Sequence, residues 1–182
     1  MQDLTEKILS CKKCSGLNCL TNKTLVSPGY GNIKSKVIFY GSSVGGSWET
    51  RVIPFASWSG RLLDKIFNLA GIKKEDIYLS NVVKCRLPEL RSPKDYELEN
   101  CKEITLEEIN YIKPDIIVPM WAIATKVFLG NDIKLENVVY KEFKFLNIKV
   151  IPMYHPAYIM RGIGDRNKYF NKMIELFKYA TS

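Results

Sequence analysis

The sequence predicts an α/β protein: a single domain over residues 1–182, built as a three-layer α/β/α sandwich around a central, mainly parallel four-stranded sheet. Two observations carry this. Short apolar runs ending at Gly, Asn or Pro alternate with longer amphipathic stretches, and strands that alternate with helices pair in parallel with both faces covered. The composition, 46% hydrophobic over 182 residues, also suits one domain with a sizeable core.

The elements follow in order. Lys36-Val37-Ile38-Phe39-Tyr40 is an apolar run ending at Gly41, the pattern of a buried strand. Ser59 caps a helix carrying Leu62, Leu63, Ile66, Phe67 and Leu69, which stops at Gly71. Ile77-Tyr78-Leu79-Ser80-Asn81 is the second strand. Pro93 opens a long helix holding Leu98, Cys101, Ile104, Leu106 and Ile109, closed near Pro114. Asp115-Ile116-Ile117-Val118-Pro119 is the third strand, and Trp121 to Leu129 is a helix ended by Gly130. Lys149-Val150-Ile151-Pro152-Met153 is the fourth strand, and the last helix runs from Asn167 to Tyr179. No internal repeat or low-complexity tract interrupts this order. In such sheets ligands bind beyond the carboxyl ends of the strands. The segments of interest are therefore 41–55, 81–91 and 155–161.

Lys and Arg outnumber Asp and Glu by 27 to 19, a net charge of +8. The excess favours a polyanionic partner, nucleic acid being the commonest; the plainer reading is a basic but unspecialised surface. No apolar run approaches the roughly 20 residues needed to span a bilayer. The N-terminus, Met1-Gln2-Asp3-Leu4-Thr5-Glu6-Lys7, lacks a signal-peptide pattern. A cytoplasmic protein with reduced thiols and no membrane association is expected.

Cys11 and Cys14 form a C-x-x-C step, while Cys85 and Cys101 lie far along the chain, with Lys12, Lys13, Lys84 and Lys102 beside them. A C-x-x-C step lets two thiolates grip one metal centre without strain. The second pair must be brought there by folding, so such a centre staples the N-terminus onto the body. Zinc and an iron–sulfur cluster both suit four cysteines, and scattered cysteines also occur as small buried hydrophobes.

The first loop reads Gly41-Ser42-Ser43-Val44-Gly45-Gly46-Ser47-Trp48-Glu49, then Ile53-Pro54-Phe55. Its glycines and serines expose backbone N–H groups able to cradle a phosphate or a carbonyl oxygen. It is not a Walker loop, since the G-K-[ST] ending is missing. Phe55 either stacks on a base or plugs the core. In the second loop Asn81 offers a donor and an acceptor side by side, the complement of a pyrimidine O4/N3 edge, or else forms a turn. Cys85, Arg86 and Arg91 follow at the same mouth. The third loop holds the only histidine, in Tyr154-His155-Pro156-Ala157-Tyr158, with Arg161, Arg166 and Lys168 just after it, a candidate phosphate-gripping run. His155 is either structural or positioned for its Nε2 to stabilise charge on a leaving group.

Taken in order, these pieces resemble the iron–sulfur branch of the uracil-DNA glycosylase superfamily, often called family 4. The landmarks are Cys11/Cys14, the glycine loop after the first strand, Pro54-Phe55, Ser59-Gly60-Arg61-Leu62-Leu63-Asp64, Asn81-Val82-Val83-Lys84-Cys85-Arg86, Arg91-Ser92-Pro93, Cys101, Lys113-Pro114-Asp115 and His155-Pro156-Ala157-Tyr158. The resemblance covers nearly the whole chain, from about Leu4 to Tyr179. The resemblance implies a DNA glycosylase that flips out uracil or a modified pyrimidine and hydrolyses its N-glycosidic bond. It implies a [4Fe–4S] cluster on Cys11, Cys14, Cys85 and Cys101, with zinc as the alternative and Cys19 a spare thiol. Phe55 would stack on the extruded base, with Gly41 and Ser43 beside it. Asn81 would read the base edge, and His155 would stabilise charge on O2. Arg86, Arg91, Arg161, Arg166 and Lys168 would contact DNA, single- or double-stranded, with the protein acting as a monomer.

The chain departs from the family at one place. Members carry Gly-Glu-x-Pro-Gly in the first loop, the glutamate positioning the attacking water; here Gly41-Ser42-Ser43-Val44-Gly45 puts Ser42 in its stead. Glu49 falls on a second acidic position of the family loop and is either the replacement carboxylate or a solvated charge. Three consequences stay open: slower uracil release, a different or bulkier base, or a non-catalytic DNA-binding accessory protein.

Overall fold

The computed structural model describes residues 1–17, 26–45, 58–160 and 165–181, the side chains of 58, 59, 74, 159 and 160 excepted. Strands β1 (Tyr30–Gly31), β2 (Val37–Gly41), β3 (Tyr78–Asn81), β4 (Ile116–Pro119), β5 (Phe143–Phe145) and β6 (Ile148–Val150) form one sheet in the order β1-β3-β2-β4-β6-β5. Seven α-helices lie among the described residues: α1 (Gln2–Leu9), α2 (Trp58–Ala70), α3 (Asp95–Ile112), α4 (Ala122–Leu129), α5 (Leu135–Val138), α6 (Pro156–Met160) and α7 (Arg166–Thr181).

The four strands expected from sequence are the parallel middle of the sheet, β3-β2-β4-β6. The expected count of four is corrected to six, because antiparallel β1 and β5 close the two edges. Both edge strands are too short for a periodic apolar pattern. The β5–β6 hairpin turns on Leu146 (φ 48) and Asn147 (φ 66), a two-residue turn without the glycine that usually marks one. β6 ends earlier than the apolar run does, yet Ile151 N–H still donates to Ile117 O (3.0 Å) and Met153 N–H to Pro119 O (3.0 Å) around the donor-less Pro152.

Alternation along the strands sorts the core into two faces. Val37, Phe39, Leu79, Val118 and Ile151 pack with Leu63, Ile66 and Phe67 of α2 and with Met173, Leu176 and Phe177 of α7. On the opposite face Ile38, Tyr40, Tyr78, Ile117 and Val150 pack with Ile109 and Ile112 of α3 and Ala124 and Phe128 of α4. Helices thus cover both sides of the sheet. A third apolar cluster joins Leu4 and Ile8 of α1, Leu17 and Val26 to Val83, Leu87 and Ile104.

The C-terminal ends of α2 and α3 follow the sequence signals, whereas α2 begins at Trp58, one residue before the expected cap Ser59, and α3 begins at Asp95, two residues after Pro93. α2 stops where Gly71 takes φ 75, with Gly71 N–H on Asn68 O (3.1 Å) and Ile72 N–H on Phe67 O (2.9 Å), the paired bonds of a Schellman end. α3 ends on left-handed Lys113 before Pro114, because proline disfavours helical backbone in the residue preceding it.

Candidate active site and thiolate pocket

The parallel register brings the residues expected at the ends of β2 and β3 to one edge. Gly41 and Asn81 are paired neighbours at the carboxyl ends of β2 and β3. The loops beyond them run on side by side: Val82 N–H donates to Gly41 O (2.9 Å), Val83 N–H to Ser42 O (3.0 Å), and Val44 bridges Arg86. Asn81 is buried at 4% exposure, and Ser42 and Ser43 are half-buried. By alternation Gly41 and Asn81 share the α2 face of the sheet, the face on which α6 also packs against α2.

His155 stands immediately before α6, whose first residue is Pro156, a position that suits proline's fixed φ. Its Nδ1 accepts a hydrogen bond from Ala157 N–H (3.2 Å), and its carbonyl accepts one from Tyr158 N–H (2.8 Å). A neutral imidazole accepting at Nδ1 carries its proton on Nε2, the atom that must donate to a developing anion. β3 and β6 are separated by β2 and β4, so their backbones lie about 14 Å apart at about 4.8 Å per strand. An aromatic wall adjoins His155: Tyr154 and Tyr158 stack at 4.4 Å, and Trp121 lies 5.5 Å from Tyr158. Trp121 adopts φ 87, a conformation that favours glycine, secured by its N–H on Met153 O (2.9 Å). Sequence reasoning placed Trp121 at a helix start and missed its place in this wall; its only signal is a bulky side chain two residues after a strand end.

Glu49, Phe55 and Arg161 lie outside the described residues, as does Cys19. Arg166 and Lys168 are exposed in the first turn of α7, which Asp165 caps through Lys168 N–H (3.0 Å). Arg86 is half-buried beside Cys85. Arg91 grips the buried Glu97 through both terminal nitrogens (2.8 and 2.6 Å), and Glu97 also accepts Lys94 N–H (2.8 Å). The Arg91 hydrogen bond above all holds the Glu97 carboxyl down at about 2, from an ordinary 4.5, against the burial that raises it.

Cys11, Cys14, Cys85 and Cys101 lie in the same apolar cluster and form no disulfide, the first half-buried and the others buried. α1 delivers the N-terminal pair by packing on α3, with ion pairs from Lys7 to Glu107 and from Lys13 to Glu103 (2.5 Å). Asn100 donates to Lys13 O (3.0 Å) and reaches Cys14 Sγ (3.5 Å). Burial pushes the Cys101 thiol up, opposed by a hydrogen bond from the Lys84 backbone and by its ammonium. This four-cysteine, disulfide-free set is the donor set an iron–sulfur cluster takes, and zinc takes the same one. Among the described residues no three His, Cys, Asp or Glu side chains are grouped closely enough to hold a metal ion.

Behind this pocket lies a buried polar network that the sequence reading missed. Glu108, fully buried, accepts from Lys84 Nζ (2.6 Å), Tyr40 (2.8 Å), Ser80 (3.0 Å) and Tyr78 (3.2 Å). Its one sequence signal is the seven-residue spacing from Cys101, which sets both on the same face of α3.

An α/β sheet with a glycine–serine loop, an asparagine and a histidine gathered at its carboxyl edge belongs to the class that binds a ligand beyond its strand ends. Residues 28–178 match the family model described as the uracil DNA glycosylase superfamily, and the chain belongs to that superfamily. It is 34% identical over 164 residues to a type-4 uracil-DNA glycosylase of Thermotoga maritima, covering 89% of this chain and 84% of that protein. It is 31% identical over 188 residues to a type-4 uracil-DNA glycosylase of Archaeoglobus fulgidus, covering 97% and 92%. A third relative so named, from Saccharolobus solfataricus, is 30% identical over 163 residues, covering 85% and 74%. No described helix is long and apolar enough to cross a membrane.

Proposed function

We propose that this chain is a DNA N-glycosylase that extrudes uracil, or a modified pyrimidine, and hydrolyses its glycosidic bond to leave an abasic site. The observation that carries the reading is the gathering of Gly41–Ser43, Asn81 and His155 at one sheet edge in a member of this superfamily. Extrusion is required because the bond is inaccessible in a stacked duplex. Breaking C1′–N leaves an oxocarbenium-like sugar and an anionic base. Asn81 pairs with the base edge, His155 donates from Nε2 to O2 as negative charge collects there, and a water captures the sugar. Such catalysis is mainly electrostatic, so it tolerates Ser42 in place of the water-positioning glutamate better than it would tolerate loss of His155. Phe55 stacks on the base and Glu49 supplies a carboxylate near the water. Arg86, Arg91, Arg161, Arg166 and Lys168 line the DNA path.

Cys11, Cys14, Cys85 and Cys101 hold a [4Fe–4S] cluster, which supplies a cross-link between the N-terminal segment and the body rather than chemistry on the base. The test is an oligonucleotide bearing one deoxyuridine, incubated with the protein and then treated with alkali to reveal abasic sites, beside substrates carrying hypoxanthine, xanthine and 5-substituted pyrimidines. Ser42 favours one second reading, a catalytically impaired relative that binds DNA as an accessory protein. Tight salt-dependent binding with no cleavage of any substrate would establish it.

A further inference from the structure

The Lys84–Glu108 network joins the two sites from behind. Three members directly precede a site residue in the chain: Tyr40 before Gly41, Ser80 before Asn81 and Lys84 before Cys85; Tyr78 lies on the same strand as Asn81, and Glu108 shares α3 with Cys101. Lys84 is 1% exposed and Glu108 is fully buried; Lys84 Nζ also donates to Ser80 Oγ (2.7 Å). Tyr40, Tyr78 and Ser80 point to the α3 face, opposite to Asn81, so the network backs the strand end whose other face carries the base-reading amide.

A buried ion pair is a poor device for stability alone, since apolar side chains of equal volume often fill such a site as well or better. What this one supplies is a fixed position. Four donors hold Glu108, and Glu108 with Ser80 fixes Lys84. The Lys84 backbone meets Cys101 on one side and takes Ser27 N–H on its carbonyl (2.8 Å) on the other. We propose that Lys84 and Glu108 are positioning residues that lock the 81–85 segment, setting the place of Asn81 at the base and of Cys85 in the thiolate pocket at once. This rests on the roles of Asn81 and the cysteines given above.

The test is the neutral double variant Lys84→Met/Glu108→Gln, which leaves no unpaired buried charge and keeps an acceptor for the tyrosines, assayed well below its melting temperature. Its maximal single-turnover base release should fall by about tenfold or more while half-saturation by DNA changes by less than about twofold, since misplacement costs the chemical step rather than DNA binding. Iron loss to a chelator should accelerate together with amide exchange at Val82 and Val83. Ser80→Ala, a milder lesion, should move the same readouts in the same direction and carries the test if the double variant does not fold. Wild-type behaviour in a folded variant, or a change in base release or iron loss alone, overturns the proposal. If the unaltered protein releases no base, the glycosylase reading fails, and iron loss with amide exchange decides this proposal independently.

Discussion

His155 is half-buried, and its Nδ1 accepts a hydrogen bond within its own turn. His155→Ala is expected to lower single-turnover base release by roughly 100-fold or more, the loss typical of one oxyanion donor. A variant that keeps the wild-type rate would make the ring structural. Ser42→Glu tests the departure in the first loop. The half-buried Ser42 sits beside the buried Asn81 strand end, and a carboxylate there should raise uracil release if uracil is the substrate, or block a bulkier base if it is not. Rates on the two substrates, compared side by side, separate these outcomes. The sequence carried these residue identities because each follows an apolar run, and the end of a parallel strand is where ligands meet the sheet.

Among the elements, α3 carries the most constraint: Glu97 at its start, Cys101 in its first half and Glu108 further on, all buried. Its first turn depends on Arg91 and Glu97. Because the folded carboxyl titrates near 2 rather than 4.5, the unfolded chain binds more protons between those values. The pair's contribution is therefore complete above about pH 4.5 and is lost as pH falls towards 2. The Arg91→Ala protein should melt lower at neutral pH, because the buried Glu97 carboxylate then loses its counter-charge, although by less than for a fully enclosed pair because Arg91 is 31% exposed. Its melting temperature should also vary less with pH across the acid range; a parallel acid limb in both proteins would contradict the assignment. Besides the DNA contact expected of Arg91 from sequence, its bidentate hold on Glu97 was not legible there, because nothing in the chain marks Glu97 as buried.

At the scale of the molecule, two long-range closures make the functional surface. One is the sheet order, which sets β2 between β3 and β4 and so gathers three distant loops. The other is the docking of α1 on α3, which carries Cys11 and Cys14 to Cys85 and Cys101. Purified anaerobically, the protein should be brown and contain about four irons per chain, as one cubane cluster requires. Cys101→Ala should be colourless and more easily cleaved by protease between α1 and Leu17, where the pocket no longer ties the segment down. A colourless wild-type preparation with one zinc per chain would replace the cluster with a single ion. With a net charge of +8, DNA binding should weaken steeply as salt rises, and each of Arg166→Ala and Lys168→Ala should reduce the slope by about one.

The amino-acid order alone determined the α/β class, the four central strands, the principal helices and the identities of the thiols, the asparagine and the histidine. Those are local matters of period, punctuation and spacing, legible wherever an element is long enough to show its pattern. The tertiary structure alone decided the two short edge strands, the left-handed Trp121 turn, the occupation of Arg91 and the burial of Lys84 against Glu108. Each depends on a partner distant in the chain, and a charged side chain reads alike in sequence whether it faces water or a buried counter-charge.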